Sequence, residues 1–180
     1  LEHYLLNIPV KKGDVFFVPA GQVHAICAGC LIAEIQESSN ITYRLYDYNR
    51  VDKNGERRPL HIEKALDVMN LKGSFKPDQP MHVFRFREGV MIEQLYQCKN
   101  FTVEKVRLDT QRLRKHATFK TRVNSFRVLL CIEGCGTLMW TGEDGDEKRM
   151  DFFRGDCIFV PADSVEYRAH GKAELLRVGC

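Results

Sequence analysis

The chain has 180 residues, 44% of them apolar, and a formal net charge of +3. That length fits one large or two small domains, and that apolar content excludes a disordered chain. A charge this small does not call for nucleic acid, and the absence of any run of 18 apolar residues argues against a membrane-spanning helix.

Residues 1–10 carry neither the basic start nor the long apolar core of a secretory leader. The seven cysteines are an odd and scattered set, which points to a reducing compartment and hence to the cytoplasm. Cys27-Ala28-Gly29-Cys30 is a C-x-x-C without a nearby second pair or a helix start, so inert thiols are the expected reading.

The first element is a turn and strand at residues 13–24, Gly-Asp-Val-Phe-Phe-Val-Pro-Ala-Gly-Gln-Val-His. The same segment returns at residues 155–166 as Gly-Asp-Cys-Ile-Phe-Val-Pro-Ala-Asp-Ser-Val-Glu. Two copies this far apart suggest one unit per domain rather than a solenoid. Gly-Asp starts a turn, four apolar residues make a buried strand, and proline ends the ladder because it has no N–H to donate. The following strand places Gln22, His24 and Ile26 on one face, so that His24 is expected to point into a barrel interior. At the matching position the second copy carries Glu166.

Further strands are expected at residues 31–36 and 42–48. The apolar set Ile62, Ala65, Leu66 and Met69 falls at i, i+3, i+4 and i+7 and predicts a short helix over residues 61–70. Residues 72–80 contain Gly73, Pro77 and Pro80 and read as a linker. Beyond it, strands are expected at residues 101–108, 126–132, 137–141, 157–160, 165–169 and 173–178. Residues 133–136 are expected to form a strand-joining turn and residues 142–145 a hairpin tip. His116 and His170 read as isolated loop or surface residues. Arg112, Arg114, Lys115, Lys120 and Arg122 form a basic run whose default is a solvated loop. The boundaries are drawn at 1–75, with about four strands and the helix, and 76–180, long enough for a complete barrel.

The spacing G-x5-P-x-G-x2-H of residues 13–24 resembles the second motif of the cupins, the double-sheet jelly rolls. The expected fold is therefore all-β: the second half of one cupin, a short helix, and a complete second cupin. The half barrel leads us to expect that this sequence is the C-terminal part of a longer protein, the missing strands lying upstream. Should the 180 residues stand alone, a second copy of the chain is one way to cover the sheet edges.

Two further segments are more specific. Residues 34–48 read E-x-Q-x-S-S-x-x-T-Y-R-x-Y-D-Y, and residues 60–66 read L-H-I-E-K-A-L. Taken alone, Arg44 is an ordinary arginine on a β ribbon. In order and spacing after His24, the segments closely resemble the bacterial type I mannose-6-phosphate isomerases, over about residues 9–71. The resemblance implies a zinc-dependent aldose–ketose isomerase acting on mannose 6-phosphate and fructose 6-phosphate. It implies that His24 is a ligand of the zinc and that Arg44 is the catalytic residue, stabilising charge on an enediol-type intermediate. The family's other ligands belong to the upstream half of the barrel, so the chain alone is expected to hold zinc weakly and to be inactive. Glu34, Glu37 and His61 lie nearby but lack a ligand spacing. The general acid/base stays unnamed. The second unit, with Glu166 and no H-x-H, is expected to complete the core. The competing reading is a non-catalytic cupin that binds a sugar or an effector; an iron-type dioxygenase would need an H-x-H that neither copy has.

Overall fold

A computed structural model describes residues 2–72, 82–113, 115–163 and 165–180. The chain divides into two units, Leu1–Gln79 and Pro80–Cys180. The linker expected over residues 72–80 lies, after Lys72, outside the described residues, as do Arg114 and Ser164.

The second unit is antiparallel β throughout. Its strands are β1 (Val83–Arg87), β2 (Val90–Gln97), β3 (Thr102–Asp109), β4 (Ala117–Lys120), β5 (Arg127–Thr141), β6 (Glu147–Phe153), β7 (Cys157–Val160) and β8 (Glu166–Gly179). The hydrogen-bonded order is β1-β2-β3-β8-β5-β6, with β4 also on β8 and β7 also on β5. Two long strands organise this sheet. Along one edge of β8, residues 166–169 pair with β4 and residues 172–179 pair with β3. The other edge pairs with β5 along most of its length. On the far edge of β5, residues 127–130 pair with β7 and residues 135–141 with β6.

A sheet of this order buries one face only if it rolls up. Val106 and Leu108 of β3, Phe119 of β4, Leu129 and Cys131 of β5, Phe152 of β6, Val160 of β7 and Leu175 of β8 all belong to one buried cluster. Such a rolled antiparallel sheet is the cupin-type jelly roll expected from the sequence.

The sequence places separate strands where the structure has β5 and β8. Residues 133–136 are the middle of β5, not a turn. There the ladder slips by one residue between Cys131 and Glu133, a bulge that bends the strand. Glycines allow the bend. A Cβ on Gly134 would sit 2.1 Å from the Lys172 carbonyl oxygen, and one on Gly171 2.5 Å from that of Cys135. Backbones this close admit no side chain, so the glycines that suggested a turn serve instead to let two long paired strands approach closely at the bulge. The expected hairpin tip holds: Gly142 N–H donates to Asp146 O and Gly145 N–H to Gly142 O.

The first unit contains the expected helix, α1 (Ile62–Val68), which buries Ala65 while Ile62 and Leu66 stay exposed. The strands expected at residues 15–18, 22–26, 31–36 and 42–48 are not formed; residues 2–72 hold no β-strand beyond an isolated bridge between Val51 and Arg57. A strand needs a neighbour for its N–H and C=O groups, and these segments find no ladder partner among the described residues.

Comparing the two copies isolates that cause. In the first, Lys11 N–H donates to Asp14 Oδ2 (2.9 Å) and Asp14 N–H to Lys11 O (3.1 Å). In the second, Phe153 N–H donates to Asp156 Oδ2 (2.8 Å) and Asp156 N–H to Phe153 O (3.0 Å). Gly13 and Gly155 have φ of +95° and +98°, and Gly21 and Asp163 have +81° and +77°. The turns are alike bond for bond. Only the second leads into a strand, β7, because β5 lies beside it.

Candidate functional site

The segment 42–61 folds around a buried carboxylate. Asp47 accepts from Arg58, whose Nε lies 2.8 Å from Oδ2 and whose Nη2 reaches Oδ1. It also accepts from Arg50 Nη2, while Arg50 N–H donates to the Asp47 carbonyl at 3.0 Å. Arg44 Nε stands 4.0 Å from Asp47 Oδ1. One carboxylate thus faces three guanidiniums. Hydrogen bonds from Arg58 lower the Asp47 pKa to about 2, against the opposing effect of burial and with help from Arg50. Asp47 therefore stays ionised at neutral pH and cannot serve as a proton donor there.

Arg44 is the half-buried member of this group and is held from several sides. Its backbone N–H donates to His61 Nδ1 (3.1 Å), and His61 N–H donates to the Arg44 carbonyl (2.8 Å). Its Nη1 donates to Pro59 O at 3.1 Å. Since His61 Nδ1 accepts, the neutral ring carries its proton on Nε2. His61 is also the residue that caps α1, and its carbonyl accepts from Ala65 N–H at 2.9 Å. The two segments singled out in the sequence, 34–48 and 60–66, are thereby joined through Arg44 and His61.

His24 is exposed rather than turned into an interior, which corrects the expectation. With neighbouring segments unpaired, no wall encloses it among the described residues. Its Nδ1 lies 2.9 Å from the Gln22 carbonyl oxygen. That contact fixes the proton on Nδ1 and presents the Nε2 lone pair outward, as a metal-ligating imidazole requires. His24 contacts Gln22, and Arg44 contacts Pro59, His61 and Asp47; the two sets share no residue.

Among the described residues no three His, Cys, Asp or Glu side chains gather to hold a metal. A catalytic zinc takes three protein ligands and an open position. His24 fits one ligand, and the described residues do not complete the set.

The sequence reading missed Asp47, Arg50 and Arg58 as a group. Asp47 stands in the stretch T-Y-R-x-Y-D-Y, but nothing in its spacing announces partners at positions 50 and 58. His116 and His170 are also not isolated: their rings meet edge to face at 5.2 Å, and Thr110 Oγ1 lies 3.1 Å from His170 Nδ1.

Residues 91–179 match the family model described as the mannose-6-phosphate isomerase cupin domain. By sequence the chain belongs to the mannose-6-phosphate isomerase family. Mannose-6-phosphate isomerase ManA of Bacillus subtilis is 33% identical over 175 residues, covering 97% of this chain and 51% of ManA. The isomerase of Streptococcus mutans is 42% identical over 104 residues, 58% of this chain and 32% of that protein. The crystal structure of the Bacillus subtilis mannose 6-phosphate isomerase superposes with a TM-score of 0.60 at 25% identity, covering 77% of this chain and 40% of that one. The chain spans about half the length of the first of these relatives. The family model falls on the second unit, whereas the motifs legible by eye lie in the first. No described helix is long and apolar enough to cross a membrane.

Proposed function

We propose that this chain is the part of a mannose-6-phosphate isomerase that carries the catalytic arginine, in a protein that interconverts mannose 6-phosphate and fructose 6-phosphate. The observation that carries the reading is the fixing of Arg44 by His61, Pro59 and Asp47. Aldose–ketose isomerisation moves a proton between C2 and C1 and builds negative charge on the sugar oxygens. A guanidinium stays charged at every working pH, and one already held in place stabilises that charge without reorganising. Three arginines around one carboxylate leave the locality net positive, which suits an anionic substrate.

Asp47 orients this group and is no proton donor at neutral pH, because its arginine partners keep it ionised. His24, with Nε2 presented outward, is proposed as one ligand of a zinc ion whose remaining ligands are not among the described residues. Bound zinc would act as a Lewis acid on the sugar oxygens.

The test is a coupled isomerase assay with mannose 6-phosphate on the full-length isomerase of which this chain is proposed to be part, with zinc added, comparing wild type, Arg44→Ala and Arg44→Lys, with circular dichroism to confirm folding. The proposal expects Arg44→Ala to lose about 100-fold or more in kcat, in line with removal of a charge-stabilising donor. A folded Arg44→Ala protein with wild-type kcat would defeat the assignment. Wild type that binds the sugar phosphate but does not turn it over would favour a sugar-binding module.

A further inference from the structure

The inward face of the second unit's barrel changes character at one end. Val106 and Leu108 of β3 are buried in the core, and Glu104 continues that face. Leu175 of β8 continues to Arg177, and Leu129 of β5 to Arg127. Glu104 is directly opposite Arg177 in the ladder. From β1, Arg85 stands opposite the core residue Ile92 and reaches the Glu104 carboxylate. Such residues on an apolar face need a reason.

Their charges do not balance. Arg177 binds Glu104 Oε2 through Nε at 2.8 Å and Nη2 at 2.6 Å, both side chains being largely buried, at 14% and 12% exposure. Arg85 uses the other oxygen of the same carboxylate. Arg127 binds only neutral groups: its Nη1 donates to Ser125 Oγ at 2.5 Å and to Phe126 O at 2.8 Å. Among the described residues both of its hydrogen bonds leave from Nη1, so Nε and Nη2 remain available. Burial, and after it repulsion from Arg177 and Arg122, pushes the Arg127 pKa down. One carboxylate, Glu104, is bound by two guanidiniums, Arg177 and Arg85, and Arg127 adds a third cation beside them. Beside them lies an aromatic floor, where Phe119 stacks on Tyr167 at 5.4 Å and the Arg177 guanidinium sits 5.5 Å from the Phe119 ring centre.

We infer that this end of the second barrel is a binding site for a small phosphorylated ligand, its phosphate held by Arg127, Arg85 and Arg177. Forked guanidinium donors match phosphate oxygens, and a dianion neutralises most of the excess charge. The half-exposed Arg85 marks the side from which a ligand enters. This assigns the second unit a role beyond completing a core, and it is independent of the Arg44 site.

The probe is inorganic phosphate, titrated into the full 180-residue chain by isothermal calorimetry at low salt. One saturable site is expected. Arg127→Gln should weaken it about tenfold or more, the loss of a charge-assisted bond. Arg85→Gln, on an exposed side chain of an edge strand, should weaken it severalfold and decides the matter should Arg127→Gln fail to fold. Lys148→Gln, which removes an exposed cation from the β5–β6 hairpin, should leave it unchanged. Absence of binding to wild type overturns the inference, as does equal binding by wild type and the arginine variants, or equal weakening by Lys148→Gln. Arg44 is retained in every variant, so failure here leaves the isomerase proposal standing.

Discussion

Gly136 lies in the close-packed stretch of the β5–β8 ladder, and substituting it by alanine tests how that approach is built. Its φ is not in the left-handed region, so alanine meets no conformational penalty there. The whole cost comes from contact. A Cβ would stand 2.4 Å from the His170 carbonyl oxygen and 2.8 and 3.0 Å from Cζ and Cε1 of the Phe152 ring. The ring can swing away or be removed, but the carbonyl belongs to the β5–β8 ladder, where Thr137 faces His170 and Gly136 faces Gly171. Gly136→Ala should therefore cost about 1–3 kcal/mol, as overpacking does. Phe152→Ala, deleting a ring that is 1% exposed, should cost about 3–5 kcal/mol. The double variant is decisive. With the oxygen as the obstacle, removing the ring relieves little, and the coupling energy should stay below about 1 kcal/mol. Urea denaturation followed by fluorescence of Trp140, the single tryptophan, measures all four proteins. A double variant no less stable than Phe152→Ala alone would show that the ring was the obstacle and refute the reasoning.

Three other outcomes can be checked. Asp47 has its pKa lowered to about 2 by Arg58 and Arg50, so its contribution to stability is complete above the ordinary carboxylate pKa and is lost as pH falls through about 2; Arg58→Gln should move the titration of Asp47, read by carboxyl-carbon NMR, upward. Glu93 is opposed by burial, yet its pKa is held down by Lys105 and His82, so Lys105→Met should raise it and destabilise the second unit by about 1–3 kcal/mol in urea melts. The two motif copies predict an asymmetry: Gly21→Ala, whose Cβ would sit 2.6 Å from the Val68 carbonyl at φ +81°, should shift hydrogen exchange at Asn70 N–H, which donates to Gly21 O. Asp163→Gly, at φ +77°, should instead leave stability equal or raise it by up to about 1–2 kcal/mol.

The legible parts of this protein were those set by local chemistry. The Gly-Asp turns, the α1 periodicity and the 142–145 hairpin tip depend on a few adjacent residues, and each forms where the sequence places it. Long-range pairing was harder to read. Glu133-Gly134-Cys135-Gly136 has the composition of a turn, and only the approach of residues 170–172 shows why those glycines lie inside a strand. The same limit explains the first unit, where apolar runs with strand composition find no ladder partner among the described residues. Arg44 and His24 were singled out through the resemblance of their segments to a known family. The carboxylate that holds the arginines was not, since Asp47, Arg50 and Arg58 meet through a loop rather than along a periodic element.

The pairing of β8 sets the order in which this fold can be made. Strands β1 to β3 form a meander, β5 and β6 a hairpin, and β7 returns to β5, all before β8 in sequence. No strand ladder joins these pieces until β8 arrives, since β3, β4 and β5 each pair with it directly and β3 and β4 pair neither with each other nor with β5. On the ribosome, then, two partial sheets wait with open edges while β8 is translated, and the rolled core forms only when it emerges. That interval exposes unpaired strands of the kind that associate with other chains. Synthesis stalled before Glu166 should leave a protease-sensitive, chaperone-bound nascent chain, and release of the following residues should close the barrel in one cooperative step.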